Sequence, residues 1–163
     1  MIRTLTPALF GVFLAGSLFT ASAAVDHLPS ELRAAIEKAR SFKMSARTAA
    51  IPEAVRQAFA HVTQDERFSM AEPGARWQAT DYVVDESLPR RRLQAVATKN
   101  EYVLIFYEQG GRGHSYHVSA FRLEDNAAQL VWRAVRPKGT VTVDRLRKSI
   151  KSREVDDEPR YVP

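Results

Sequence analysis

Four short separators decide most of what this chain can fold into. Between Arg76 and Val135 apolar and polar residues alternate in five runs, about Arg76–Val84, Arg91–Thr98, Tyr102–Gln109, His114–Leu123 and Gln129–Val135. The segments between them are "DESLP", "KN", "GGRG" and "EDNA", all rich in turn formers. Period-two alternation broken by such clusters predicts strands. A parallel crossover needs roughly a dozen or more residues, so strands joined this closely must run antiparallel.

Helical spacing appears on either side of this block. Leu32, Ala35, Ile36 and Ala39 recur on one side of a helix that Ser30 would cap. A second helix is predicted to begin at Pro52, with Val55, Phe59 and Val62 along one stripe. Near the C-terminus Thr142 precedes Val143, Leu146 and Ile150 at the same spacing. The predicted class is therefore α+β: two N-terminal helices and a short C-terminal helix packed on one face of a five-stranded antiparallel meander.

The turns also predict a register. A two-residue turn at Asn100-Glu101 sets Leu104 opposite Ala97 and Phe106 opposite Ala95. A tip at Gly111-Arg112 sets Phe106 opposite His117 and Leu104 opposite Ser119. A tip near Asn126 sets Phe121 opposite Leu130 and Ser119 opposite Trp132. One face then carries Leu93, Ala95, Ala97, Leu104, Phe106, Phe121, Leu123, Leu130 and Trp132, which is where the helices are expected. The other face, with Val96, Val103, Ile105, Tyr107, Tyr116, Val118 and Arg133 among its residues, is mixed, and a partner or a second copy of the chain could sit on it.

The first residues carry an address. Arg3 is followed by an apolar core from Leu5 to Phe19 and then by Ala21-Ser22-Ala23, the pattern of a secretory signal cut before Ala24. An apolar run of about 15 residues falls short of the about 20 that a membrane-spanning helix needs. Expected boundaries are thus 1–23 for the leader, 24–153 for a single globular domain and 154–163 for an acidic flexible tail. The mature chain would be exported, periplasmic or extracellular, with no integral membrane segment. Arg3 is the one charged residue of the leader, so cleavage takes the formal charge from +5 to +4. There is no cysteine, which excludes disulfides, thiolate metal sites and a cysteine nucleophile.

The stretch "EQGGRGHSYH", Glu108 to His117, raises the functional question. The antiparallel order brings Arg90, Arg91, Arg92 and Arg136 to the same end of the sheet as Arg112 and His114. Glycines that turn backbone amides outward, beside arginines, suit phosphate, sulfate or carboxylate. The plainer alternative is a hairpin whose glycines only satisfy its turn. Glu108 and His117 are expected as a supporting polar pair. His114 and His117, three apart on a strand, should point to opposite faces, so no metal site and no cofactor are expected. The pattern gives little support to a nucleotide phosphate loop, because no Gly-Lys-Ser/Thr ending follows the glycines and they join two strands rather than a strand and a helix.

The resulting expectation is an exported, non-catalytic binding or accessory module whose basic Gly/Arg-rich rim meets an anionic polymer or protein. Two alternatives are a homodimer built on the mixed face and a phosphodiester-cleaving enzyme. In general architecture, the stretch from Trp77 to Phe121 of this basic, cysteine-free chain is similar to the secreted microbial guanyl ribonucleases. That resemblance implies a strand glutamate paired with a histidine on a later loop, with arginines between, and His114 takes the histidine's place. Two positions after Trp77, where the family has its glutamate, this chain has Ala79; Glu108 is the substitute.

Overall fold

The computed structural model describes residues 27–38, 42–83 and 85–155. The expected leader lies outside the described residues, and so does the acidic tail from residue 156 on. The elements are α1 (Ser30–Glu37), β1 (Lys43–Ser45), α2 (Glu53–Val62), β2 (Arg91–Lys99), β3 (Tyr102–Gln109), β4 (Ser115–Glu124), β5 (Ala127–Val135) and α3 (Val143–Lys151). The five strands form one antiparallel sheet in sequential order, β1-β2-β3-β4-β5. The α+β class stands. Among the described residues no helix is long and apolar enough to cross a membrane.

The fifth strand is not the expected one. Arg76–Val83 forms no strand, and the edge beside β2 is taken by Lys43–Ser45. Pro73-Gly74 turns the chain, and the buried Gln78 side chain then donates to the carbonyls of Thr80 and Tyr82, which curls this stretch on itself. It meets the sheet end through one bridge, Thr80 with Gly111, and through the Trp77 ring under Arg92, while Ala71 ahead of it bridges Arg92.

The helices also divide differently. Leu32 and Ile36 of α1 and Val143 and Leu146 of α3 join Ala95, Ala97, Leu104, Phe106, Val118, Ala120 and Trp132 in one cluster. Val55 and Phe59 of α2 join Leu93, Val96, Val103, Ile105, Tyr107 and Phe121 in another. The first cluster belongs to one face of the sheet and the second to the other. The supposedly mixed face is therefore the seat of α2: Val103 and Ile105 are fully buried, and a second copy of the chain would find its apolar centre already covered. A sheet covered on both sides explains why β3 reads as the nearly unbroken apolar run "YVLIFY".

Two bulges redistribute the side chains. The Asn100-Glu101 turn keeps Ala97 opposite Leu104 and Ala95 opposite Phe106, as expected. Beyond that pair Gln94 is an extra residue, so Leu93 meets Tyr107 and Arg92 meets Glu108. An unbulged strand would have set Leu93 against that carboxylate. Val131 is the extra residue of β5, so Trp132 pairs with Ala120 while Leu130 pairs with Phe121. Leu93 and Leu130 consequently lie on the α2 side rather than with Trp132, where they join Phe121 and Leu123 of β4. Each bulge adds one residue and so reverses the faces of everything beyond it.

The β3–β4 register differs from expectation by one residue: Phe106 meets Val118 and Leu104 meets Ala120. The cause lies in the glycine loop, which spans Gly110 to His114 and is not a two-residue tip. A Cβ on Gly110 would overlap the carbonyl oxygen of Gln78 and stand 2.8 Å from the Cα of Ala79. Gly111, at φ +143°, pairs with Thr80. These two glycines let the chain's own 78–80 segment press against the loop, which answers for them without a ligand. Gly113 has open space around it.

The C-terminal helix begins as expected, with the Thr142 hydroxyl accepting from the Arg145 amide at 3.2 Å. Beyond its end Val155 is buried against the α1 and α3 cluster, so Glu154 and Val155 belong to the folded body rather than to the tail. The loop geometry makes a direct prediction. Gly110→Ala should cost about 3 kcal/mol or more, because backbone must move to admit the methyl, whereas Gly113→Ala should stay within about 0.5 kcal/mol of the parent. Urea unfolding of the two variants beside the parent measures both.

Candidate functional site

The end of the sheet where β2, β3 and β4 meet the glycine loop gathers most of the chain's unusual polar residues, and it sorts them by face. On the α1 and α3 side Glu108 sits on the central strand with only 4% of its surface exposed. A buried carboxylate is costly unless it is bonded and neutralised. Arg92, brought opposite by the Gln94 bulge, reaches it with Nη2 at 2.9 and 3.1 Å and Nε at 3.2 Å. Gln94 donates at 2.9 Å, and His114, returned by the glycine loop, stands 2.7 Å away through Nε2. A carboxylate only accepts, so that ring nitrogen carries a proton and Nδ1 is the one left over.

Rings close the cluster. Arg92 lies over the Trp77 indole at 5.0 Å, and His114 stands between Trp77 at 5.3 Å and Tyr116 at 4.9 Å. Beside Trp77 the surface dips into a depression of about 390 Å3 lined by residues 74–80, Leu88 and Arg92. Burial pushes the Glu108 carboxyl upward. The bonds from Arg92, Gln94 and His114, with the Arg92 charge, outweigh that and hold it below the ordinary glutamate value.

Arg136 is more deeply placed, 3% exposed, and among the described residues it forms no ion pair. Its Nε donates to the His117 carbonyl at 2.8 Å and Nη2 donates to the Gln94 side chain, while the guanidinium lies 5.6 Å from both the Phe106 and the Tyr116 ring. Burial pushes its pKa down to about 10, a pull partly offset by the Glu108 charge, so it remains a cation at neutral pH.

The other face holds a different group. Arg91 bonds Asp65 at 2.6 Å and lies 5.9 Å over Phe59. His117 stacks on Tyr107 at 5.2 Å, and its Nε2 is 2.7 Å from the Ser115 hydroxyl. Glu108 and His117, expected as a pair, are thus on opposite sides of the sheet; the histidine that meets Glu108 is His114. Burial, then the charges of Arg136, Arg133 and Arg91, push His117 down to about 4.

Of the six residues expected to form a cationic rim, Arg91, Arg92 and Arg136 are spent inside the fold and His114 is tied to Glu108. Arg90 and Arg112 are exposed at the same sheet end, where the Gly110 amide donates to the Arg90 carbonyl at 3.0 Å, and neither enters an ion pair among the described residues. Sequence reasoning missed Trp77, Gln94, Tyr116 and Asp65. Alternation in "HSYH" pointed to Tyr116 as a neighbour of His114, but the reach of Asp65 across from the α2 side left no local sign. Among the described residues no cluster of three or more His, Asp or Glu is placed to hold a metal ion.

Two predictions follow from these charges. Glu108→Gln leaves Arg92 and Arg136 without their counter-charge and should cost about 3 kcal/mol in urea unfolding at neutral pH. His117 is neutral when folded and protonates more readily when unfolded, so its contribution is full above about 6.5 and declines as pH falls toward about 4. Over that window the parent should lose up to about 3 kcal/mol. His117→Gln should flatten that slope; Glu108, held low, acts on stability only at the acid end of it and below.

No family model matches this chain, and no curated protein or solved structure matches it.

Proposed function

We propose that this chain is an exported, non-catalytic binding module that engages an anionic polymer through Arg90 and Arg112 at the rim of the sheet. The observation that carries the reading is the division among the arginines. Three are held inside by Asp65, Glu108 and backbone carbonyls, whereas these two are exposed with no opposing carboxylate among the described residues. The Trp77 ring and the depression beside it offer an adjoining flat surface for a base or a sugar. Export rests on the signal pattern of residues 1–23.

A second reading, phosphodiester cleavage, is favoured by one contact, the 2.7 Å approach of His114 to Glu108, with 39% of the histidine side chain exposed. Against it, the carboxylate is already filled by Arg92, Gln94 and His114, which suits a structural anchor better than a base that must accept a substrate proton.

Labelled single-stranded RNA, incubated with the mature chain from low to high salt, tests both. The expected result is intact RNA bound with an affinity that falls steeply with salt, the log–log slope shrinking by about 0.7 for each of Arg90→Gln and Arg112→Gln. Cleavage that His114→Ala abolishes would transfer the assignment to the enzyme. RNA neither bound nor cut would remove the rim as a nucleic-acid site.

A further inference from the structure

We propose that Ser115, His117 and Arg133, backed by Arg91, form a binding site for a small tetrahedral oxyanion of the phosphate or sulfate class, on the α2 side of the sheet. The site shares no residue with the rim of Arg90 and Arg112 and stands or falls separately from it.

Alternation along β4 puts Ser115, His117 and Ser119 on the side where α2 lies, and Arg133 is the β5 partner of Ser119. Ser115, His117 and Arg133 are half-buried, so they are held in place yet reachable from solvent. Arg91 stands behind them from β2, its side chain only 9% exposed. One of its terminal nitrogens bonds Asp65, but its Nε is a buried donor with no partner among the described residues. Buried donors of that kind are ordinarily satisfied. Arg133 enters no ion pair among the described residues.

The charge balance runs the same way. Arg91, Arg133 and Arg136 all bear on the stacked Tyr107–His117 pair, and of these three Arg91 is bonded to a carboxylate, that of Asp65. Burial first, and then these guanidinium charges, keep His117 neutral far below its ordinary range. The charges, though not the burial, favour an anion over a metal ion beside it. The Ser115 hydroxyl and the neutral His117 ring share one bond at 2.7 Å, which leaves one donor of that pair, beside the Arg133 guanidinium, for the oxygens of a tetrahedral ion, and guanidinium in particular matches phosphate and sulfate.

Inorganic phosphate and sulfate, titrated separately into the folded protein at constant ionic strength, provide the test, with amide and histidine-ring NMR signals as the readout. The expected result is a saturable shift centred on Ser115 and His117 with at least one ion, and the ion that saturates at lower concentration identifies the class. Arg133→Gln and Ser115→Ala should each weaken binding, the former by roughly tenfold, while Arg112→Gln leaves it unchanged. Shifts that rise linearly without saturating, shifts confined to residues 110–114, or an unchanged affinity in both Arg133→Gln and Ser115→Ala would overturn the proposal.

Discussion

A carboxylate on the central strand of a covered sheet is the constraint around which this molecule is arranged. Glu108 is almost wholly withdrawn from water, so its charge must be met largely from inside. Meeting it requires Arg92 and Gln94 on the same face, which the Gln94 bulge supplies, and His114 folded back over the strand end, which the glycine loop supplies. The loop in turn can lie where it does because Gly110 admits the backbone of Gln78 and Ala79. Bulge and loop both serve one buried charge, and the irregular 76–83 segment packs against the loop.

The sheet has two cores because β3 and β4 carry apolar residues on both faces. A meander with one apolar face would have left the other face wet. The extra residues Gln94 and Val131 switch faces partway along β2 and β5, which adds Leu93 and Leu130 to the α2 side. Trp132 and Phe106 pack beneath α1 and α3, while Phe121 and Tyr107 pack beneath α2, where Phe59 meets Tyr107 at 5.3 Å and Phe121 at 6.2 Å. With both faces filled, the sheet's free polar chemistry is pushed to its end, where the glycine loop and the entrance of β2 lie.

That history explains what could be read beforehand. The turns at Asn100 and at Asp125-Asn126 announced themselves because asparagine and aspartate accept positive φ, as both Asn100 and Asp125 do. Four of the five strands, all three helices and the Thr142 cap followed from local periodicity. The bulges did not, because an extra residue changes no local propensity; only the mismatch of Leu93 against Glu108 hinted at one. β1 is three residues long and below any pattern. Arg76–Val83 alternates like a strand, but the bonds from the Gln78 side chain to backbone carbonyls override the pattern. The candidate residues were gathered at the right end of the sheet, yet their faces were misassigned. The one-residue difference across the glycine loop separated His117 from Glu108, and the Gln94 bulge set Arg92 opposite that carboxylate instead.

The arginines then fall into two kinds by what surrounds them. Arg91, Arg92 and Arg136 each lie against an aromatic ring and an acceptor, arrangements in which a planar, weakly hydrated cation tolerates loss of water. Lysine would not replace them, since its ammonium is more strongly hydrated and lacks the flat face that rests on Trp77 or Phe106. Arg90 and Arg112 have neither ring nor acceptor among the described residues and would accept lysine without loss of the fold. The sequence writes all five with the same letter, and "PRRR" gives no sign that its first arginine faces solvent while the next two are turned to opposite faces of the sheet. A charge run becomes three different things because strand alternation, and one bulge, separate neighbours that composition would count together.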